Sequence, residues 1–208
     1  MTQEKASKTR KSEILTATKE LIDQGYYYKD INMKKISVMT SFSRPSIYNY
    51  FQTKEEIFLA LLTQEYVDWS GELYSLNEQA GQIHQQEYIE KLAQSLENRP
   101  LMLKLVSNNL TDFEENSRME LIIPFKASYG ETLKAADSNL QHFFQKMSEK
   151  DRNEFLFAFF PFIFGLNPYA VGTKKQKEGL KQAGVAYTYH SVHDLTLNLL
   201  KKLLKIEG

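Results

Sequence analysis

The sequence predicts an all-α protein of about nine helices, with a small N-terminal helix-turn-helix head and a larger helical body. Three observations predict it. Apolar residues recur at three- and four-residue spacing through most of the chain, and no stretch shows a convincing strand alternation. Residues 32 to 57, NMKKISVMTSFSRPSIYNYFQTKEEI, read as two short helices, a tight turn and the opening of a longer helix. Charge is unevenly divided along the 208 residues. Residues 1–54 carry ten basic and five acidic side chains and the rest sixteen and twenty-one, although the net charge is zero. A basic head on an acidic body suits a nucleic-acid-binding module joined to a separate domain.

The first helix is carried by Ile14, Ala17, Leu21 and Ile22, and Gly25 suits its C-terminal stop. Asn32 is placed to cap the second helix and Ser43 the third, each by accepting a hydrogen bond from a free backbone N–H. Ile31 with Ile36, and Phe42 with Ile47, have the spacing of hydrophobic staples. Ile36, Met39, Phe42, Ile47 and Phe51 are expected to share one small core. The opposite side of the second helix of the motif carries Pro45, Ser46 and Asn49, with Arg44 at its first turn. That face is poor for packing and good for the edges of bases; a solvated surface of a helical hairpin is the ordinary alternative. Thr53 and Glu56 fit a capping box at the start of the next helix, which should run through Leu61 and Tyr66 toward Leu73.

The domains are expected at 1–53 and 54–208. Residues 77–83 read as a polar linker. Residues 85–98 form a helix through Tyr88, Leu92 and Leu96. Pro100 opens another, through Leu103 and Val106, with Asn108 and Asn109 as its close. Residues 118–146 are a long helical stretch with a bend expected near Pro124 and Gly130. Ser148 and Asp151 mark a start leading into FLFAFFPFIFGL, residues 167–189 read as a loop, and Ser191 and Asp194 open a last helix ending near Leu204.

The run at residues 155–166 is apolar on every side and must be covered on every side. Phe157, Phe160 and Phe164, with Leu195, Leu199 and Leu203 of the last helix, are the expected dimer interface; full burial within one subunit is the alternative. DNA geometry favours the dimer, because one short helix reads few base pairs and a two-fold dimer places two about one turn apart.

The chain has no cysteine, which excludes disulfides and thiolate metal sites. The N-terminus is charged and polar, without the apolar core of a signal peptide. The run at 155–166 falls short of the roughly 18 residues that a membrane span needs. A cytoplasmic location is the expectation. No Gly-rich phosphate loop, Ser-x-x-Lys, Gly-x-Ser-x-Gly or His-Glu-x-x-His occurs, so neither an enzyme nor a cofactor is expected. His190 and His193 lack a cysteine or clear carboxylate partner, and no metal is expected.

Residues 11–62, about a quarter of the chain, closely resemble the DNA-binding motif of TetR-family transcriptional regulators. The resemblance rests on Ile36, Ser43, the pairs Ile47-Tyr48 and Tyr50-Phe51, and Lys54-Glu55 opening a long helix. Three departures stand out. Ser41 occupies the turn where the family usually has Gly, Pro45 stands where a small residue is common, and the loop at 26–31 is longer than usual. Pro45 is tolerable because the first helical turn has unpaired N–H groups in any case.

The resemblance implies a homodimeric repressor that binds a double-stranded DNA operator with an inverted repeat and is released by a small molecule. Arg44 and Asn49 are then the expected base contacts, since Arg pairs with guanine and Asn with adenine in the major groove. Pro45 and Ser46 lie beside them. Tyr48 and Tyr50 should meet phosphates, as their counterparts do in the family. Lys54 sits at a helix N-terminus, which favours phosphate, and Lys34 is a further phosphate contact. Asn32 and Ser43 complete the set. A ligand pocket is implied, with Tyr66, Trp69, Tyr88, Phe113, Phe125, Tyr129 and Phe143 as its candidate lining and an apolar or amphipathic effector. The rivals are a DNA binder that is ligand-independent or controlled by a protein, and a helical carrier or enzyme whose motif is incidental.

Overall fold

Capping chemistry and apolar spacing decide where these helices begin and end. The computed structural model describes residues 3–206, with side chains from residue 7 onward other than those of Asn108 and Asn109. The helices are α1 (Gln3–Asp23), α2 (Met33–Val38), α3 (Arg44–Ile47), α4 (Lys54–Asn77), α5 (Gln85–Glu97), α6 (Pro100–Glu115), α7 (Met119–Phe143), α8 (Glu149–Ala170), α9 (Lys174–Gln182) and α10 (Val192–Leu204). A single 3-10 turn, Tyr28–Asp30, joins α1 to α2. The described residues contain no strand, and no single helix among them is long and apolar enough to cross a membrane.

The chain divides into two compact units. One holds the residues up to Gln64 together with Asn109–Ala127; the other holds Glu65–Asn108 and the chain from Ser128. The divisions fall inside α4, α6 and α7, so the first unit takes in the end of α6 and the start of α7 as well as the helix-turn-helix.

In the first unit α1 stops at Gly25, which takes a φ of +91°. Its N–H donates to the Ile22 carbonyl at 3.0 Å and that of Tyr26 to Leu21 at 3.1 Å, the paired bonds of a glycine-terminated helix. Ile14, Leu21, Ile31, Ile36, Ile47, Phe51, Ile57 and Phe58 are buried. Met39, expected among them, is exposed instead; it is the C-cap of α2, where the backbone leaves the helical path and the buried stripe ends. Asn32 caps α2 by accepting from the Lys35 N–H at 3.0 Å. Ser43 flanks α3 but does not cap it with its side chain, and its hydroxyl meets that of Ser46 at 3.2 Å. From α6, Phe113 stacks on Phe58 at 5.5 Å and meets the ring of Tyr28 at 5.2 Å.

In the second unit α10 packs along α5 and touches α8. The inward stripes follow four-residue spacing: Tyr88, Leu92 and Leu96 on α5, and Val192, Thr196 and Leu200 on α10. Trp69 donates from its indole N–H to Ser95 at 3.0 Å, and Arg99 pairs with Glu72 at 2.6 Å. His193 lies 3.1 Å from Glu90, tying α10 to α5.

Three local expectations are corrected here. Asn108 and Asn109 do not end a helix, since α6 continues to Glu115. Phe144 to Lys146 are not helical, because α7 ends at Phe143. The segment 167–189 is not a loop throughout. The α8 helix extends to Ala170, and α9 opens on a capping box in which Thr173 accepts from Gln176 N–H and the Gln176 side chain accepts from Thr173 N–H. Gly184, with a φ of +66°, closes it.

Candidate nucleic-acid interface

The helix-turn-helix face starts from its turn. The Ser41 backbone N–H donates to one carboxylate oxygen of Glu13 on α1, and the Ser41 hydroxyl to the other at 3.1 Å. Thr40 adds hydroxyl bonds to the carbonyls of Ser37 and Phe42 at 3.0 and 3.1 Å. Ser41 lies outside the left-handed region, where Lys205 is the one non-glycine residue among those described. A side-chain carboxylate thus supports the turn at Ser41, and no backbone strain arises.

Beyond the turn, α3 is a single helical turn. Residues 48–50 continue as turns, with the Tyr50 and Phe51 N–H groups donating to the Ile47 carbonyl at 2.8 and 3.0 Å. Asn49 therefore stands just past α3 rather than within it, and it is exposed. Ile47 and Phe51 point inward, while Ser43, Arg44, Pro45 and Tyr48 are exposed and Ser46 and Tyr50 half-buried.

Asn32, Met33, Lys34, Arg44, Tyr48, Gln52, Thr53 and Lys54 line one open groove of about 470 Å³. It joins the start of α2, the first residue of α3 with Tyr48 just beyond that helix, and the start of α4. Lys34, Arg44 and Lys54 are cationic, and no lining residue is acidic. Pro45, Ser46, Asn49 and Tyr50 belong to the same segment but not to the groove wall. Met33, Gln52 and Thr53 also line it, outside the residues expected from the sequence; each stands within two positions of an expected contact.

Arg44 donates from Nη2 to the Tyr48 hydroxyl at 3.0 Å. The Lys54 ammonium sits 4.0 Å from the centre of the Tyr28 ring and donates to the Tyr28 carbonyl at 3.0 Å. The Tyr28 hydroxyl donates to Glu55 at 2.5 Å. Burial first, then that bond and the charges of Glu55 and Asp112, push the Tyr28 phenol well above its ordinary value, so it remains a neutral donor.

Behind the groove lies an ion pair. Thr53 accepts from the Glu56 N–H at 3.2 Å, but the Glu56 carboxylate passes Thr53 and takes the Gln52 N–H at 2.7 Å, so the expected capping box is only half formed. The same carboxylate receives Arg118 Nε at 2.6 Å and Nη2 at 3.0 Å. Arg118 also reaches the Tyr50 carbonyl at 3.4 Å, and the Thr53 hydroxyl donates to the Asn116 carbonyl at 2.8 Å. Burial pushes the Glu56 carboxyl up, but the bonds from Arg118 and the Gln52 N–H outweigh it and hold it below the usual range.

The candidate pocket residues are divided between the two units. Tyr66 meets Tyr129 at 5.5 Å, and Phe160 meets Tyr129 and Trp69 at 5.7 and 5.8 Å. Tyr88 stacks on Phe143 at 4.4 Å. Phe113 and Phe125 are buried in the first unit, the former on Phe58 and Tyr28. Of the candidate dimer residues, Phe157 is 81% exposed, and Phe164, Leu195, Leu199 and Leu203 are half-buried. Phe160 points inward onto Trp69 and Tyr129 and offers no surface to a partner.

The family model for bacterial regulatory proteins of the tetR family matches residues 14–61, and that for tetracyclin repressor-like C-terminal domains matches residues 63–197. Two solved structures share the fold. One, from Mesorhizobium loti, is described as a TetR-family transcriptional regulator, with 15% identity over 98% of each chain and a TM-score of 0.61. The other is the fatty acid degradation regulator FadR from Bacillus halodurans, with 16% identity over 94% of each chain and a TM-score of 0.59. At such identity they speak for the fold alone. No curated protein gave a significant match. With a DNA-reading motif at one end and a matching helical domain over most of the remainder, this chain belongs to the TetR family of DNA-binding transcription regulators.

Proposed function

We propose that this protein is a repressor that binds, as a homodimer, an operator with an inverted repeat and is released by an apolar or amphipathic small molecule held in its body. The observation that carries the DNA reading is the groove across α2, α3 and α4, with three cations and no carboxylate in its wall. Phosphates require such a surface, and the exposed Arg44 and Asn49 supply groups for base edges.

Support for the dimer comes from α8. Phe157, Pro161, Pro168 and Tyr169 lie along one exposed side, while Phe155, Phe159, Ile163 and Leu166 fill the other. Support for an apolar effector comes from the Tyr66, Trp69, Tyr129 and Phe160 cluster. In the same unit Asn139 is wholly buried beside Tyr88, a polar pair able to orient a ligand. A DNA partner is consistent with a cytoplasmic location.

Selection of bound duplexes from random DNA tests the reading. The expected result is enrichment of an inverted repeat with half-sites about one helical turn apart or slightly more. Equal recovery of all sequences by the folded protein would overturn it.

A further inference from the structure

Arg44 and Tyr48 stand one helical turn apart, so their side chains share a face. Both line the cationic groove. Arg44 Nη2 donates to the Tyr48 hydroxyl at 3.0 Å, and the guanidinium carbon lies 5.7 Å from the centre of the Tyr48 ring. A free exposed Arg loses much rotamer freedom on docking to a base edge, whereas one already held loses less. Guanine needs two parallel N–H groups from the reader, and a guanidinium has five. One donor committed to Tyr48 leaves enough for the base. The Tyr48 oxygen accepts from Arg44 and keeps its own proton to donate to a phosphate. One hydroxyl can therefore join the DNA backbone to the base reader.

We propose that Tyr48 is a positioning residue for sequence choice, which holds the Arg44 guanidinium in place to read a guanine, beyond its own contact with the backbone. The inference rests on this face being the DNA-binding surface. A Tyr48 that only meets phosphate would weaken all DNA equally when its hydroxyl is lost. A Tyr48 that acts through Arg44 changes base preference, and only while Arg44 is present.

The experiment uses the full-length protein and the operator that the native protein itself selects. Dissociation constants are measured for that operator, for operators with each guanine replaced in turn, and for a random duplex. The proteins are the native form, Tyr48→Phe, Arg44→Ala and the double variant, each checked for fold by circular dichroism. Arg44→Ala should erase preference for one guanine by about 5–100-fold. Tyr48→Phe should lower preference for that same guanine by about 3–10-fold, the range of one hydrogen bond. In the Arg44→Ala background, Tyr48→Phe should leave base preference unchanged and weaken all duplexes by one common small factor. A uniform loss with preference intact in Tyr48→Phe overturns the proposal. So does a change of preference that persists in the Arg44→Ala background, or an Arg44→Ala protein with its guanine preference intact. Failure of the native protein to enrich any sequence would instead overturn the DNA-binding function, and this inference with it.

Discussion

At the scale of single residues, the helix-turn-helix face separates side chains that stand free for DNA from side chains that build the surface. Asn49 is exposed and carries no backbone duty, so Asn49→Ala should lose about 1–3 kcal/mol of operator binding and relax choice at one base. Lys54 differs, because Tyr28 steers its ammonium through the ring and the carbonyl. Lys54→Ala should weaken operator and random DNA alike and lower the salt slope by about 1. Titrations at several salt concentrations distinguish the two, and equal loss on every sequence for both variants would contradict the division of roles. Glu13 acts on the fold of the site rather than on DNA. Loss of its two bonds to Ser41 in Glu13→Ala should cost about 1 kcal/mol in urea unfolding. Ser41→Gly should bring no gain, since Ser41 has no positive φ to relieve and glycine adds unfolded-state entropy. A stabilised Ser41→Gly protein would show that the turn is strained after all.

At the scale of elements, the buried Glu56 carboxylate joins the first turn of α4 to Arg118 at the threshold of α7, and through Gln52 to the end of the recognition segment. Its folded pKa lies below the ordinary value. The ion pair therefore stabilises the fold above the unfolded pKa of about 4.3, and that contribution is lost as pH falls through the lower folded value. Arg118→Ala removes the side-chain bonds and charge that hold Glu56 down and leaves burial opposed by backbone N–H groups alone. Stability of that variant should therefore gain less than that of the native protein as pH rises through the carboxylate range near about 4.3. Adding Glu56→Gln should remove this pH dependence. Urea midpoints of the native protein and of the single and double variants between pH 4 and 8 provide the comparison, and an Arg118→Ala profile parallel to the native one would sink the idea.

At the scale of the whole molecule, the open side of α8 calls for a second subunit. Phe157 is 81% exposed, so Phe157→Glu should leave the melting temperature of the isolated subunit nearly unchanged and still convert dimers to monomers. Leu199→Glu with Leu203→Glu should do the same from α10, at some cost in stability because both are half-buried. Operator affinity should fall in each case, since one head alone reads few base pairs. Sedimentation at micromolar concentration is the check; a native monomer, or a variant that still sediments as a dimer, would exclude this face.

The sequence by itself determined most of what depends on neighbours three or four positions apart, Ser43 and half of the Thr53 and Glu56 box excepted. Asn32 and Lys35, Ser148 and Asp151, and Ser191 and Asp194 cap their helices as their spacing requires, and Gly25 ends α1. The motif that shows the family is equally local. The box at Thr173 and Gln176 was legible by the same rule, but the lysines and Gly179 around it resemble a loop. Tertiary structure alone decided the partners of Glu13 and Glu56, which lie 28 and 62 residues away. It alone decided that Phe113 packs on Phe58 and Tyr28, and that Phe160 turns inward while Phe157 faces out. The reason is physical. Caps and stripes are set by the pitch of one helix, whereas a contact across tens of residues depends on how helices cross and in what register. A helix apolar all round has no preferred face in its own sequence, and its neighbours choose which side is buried.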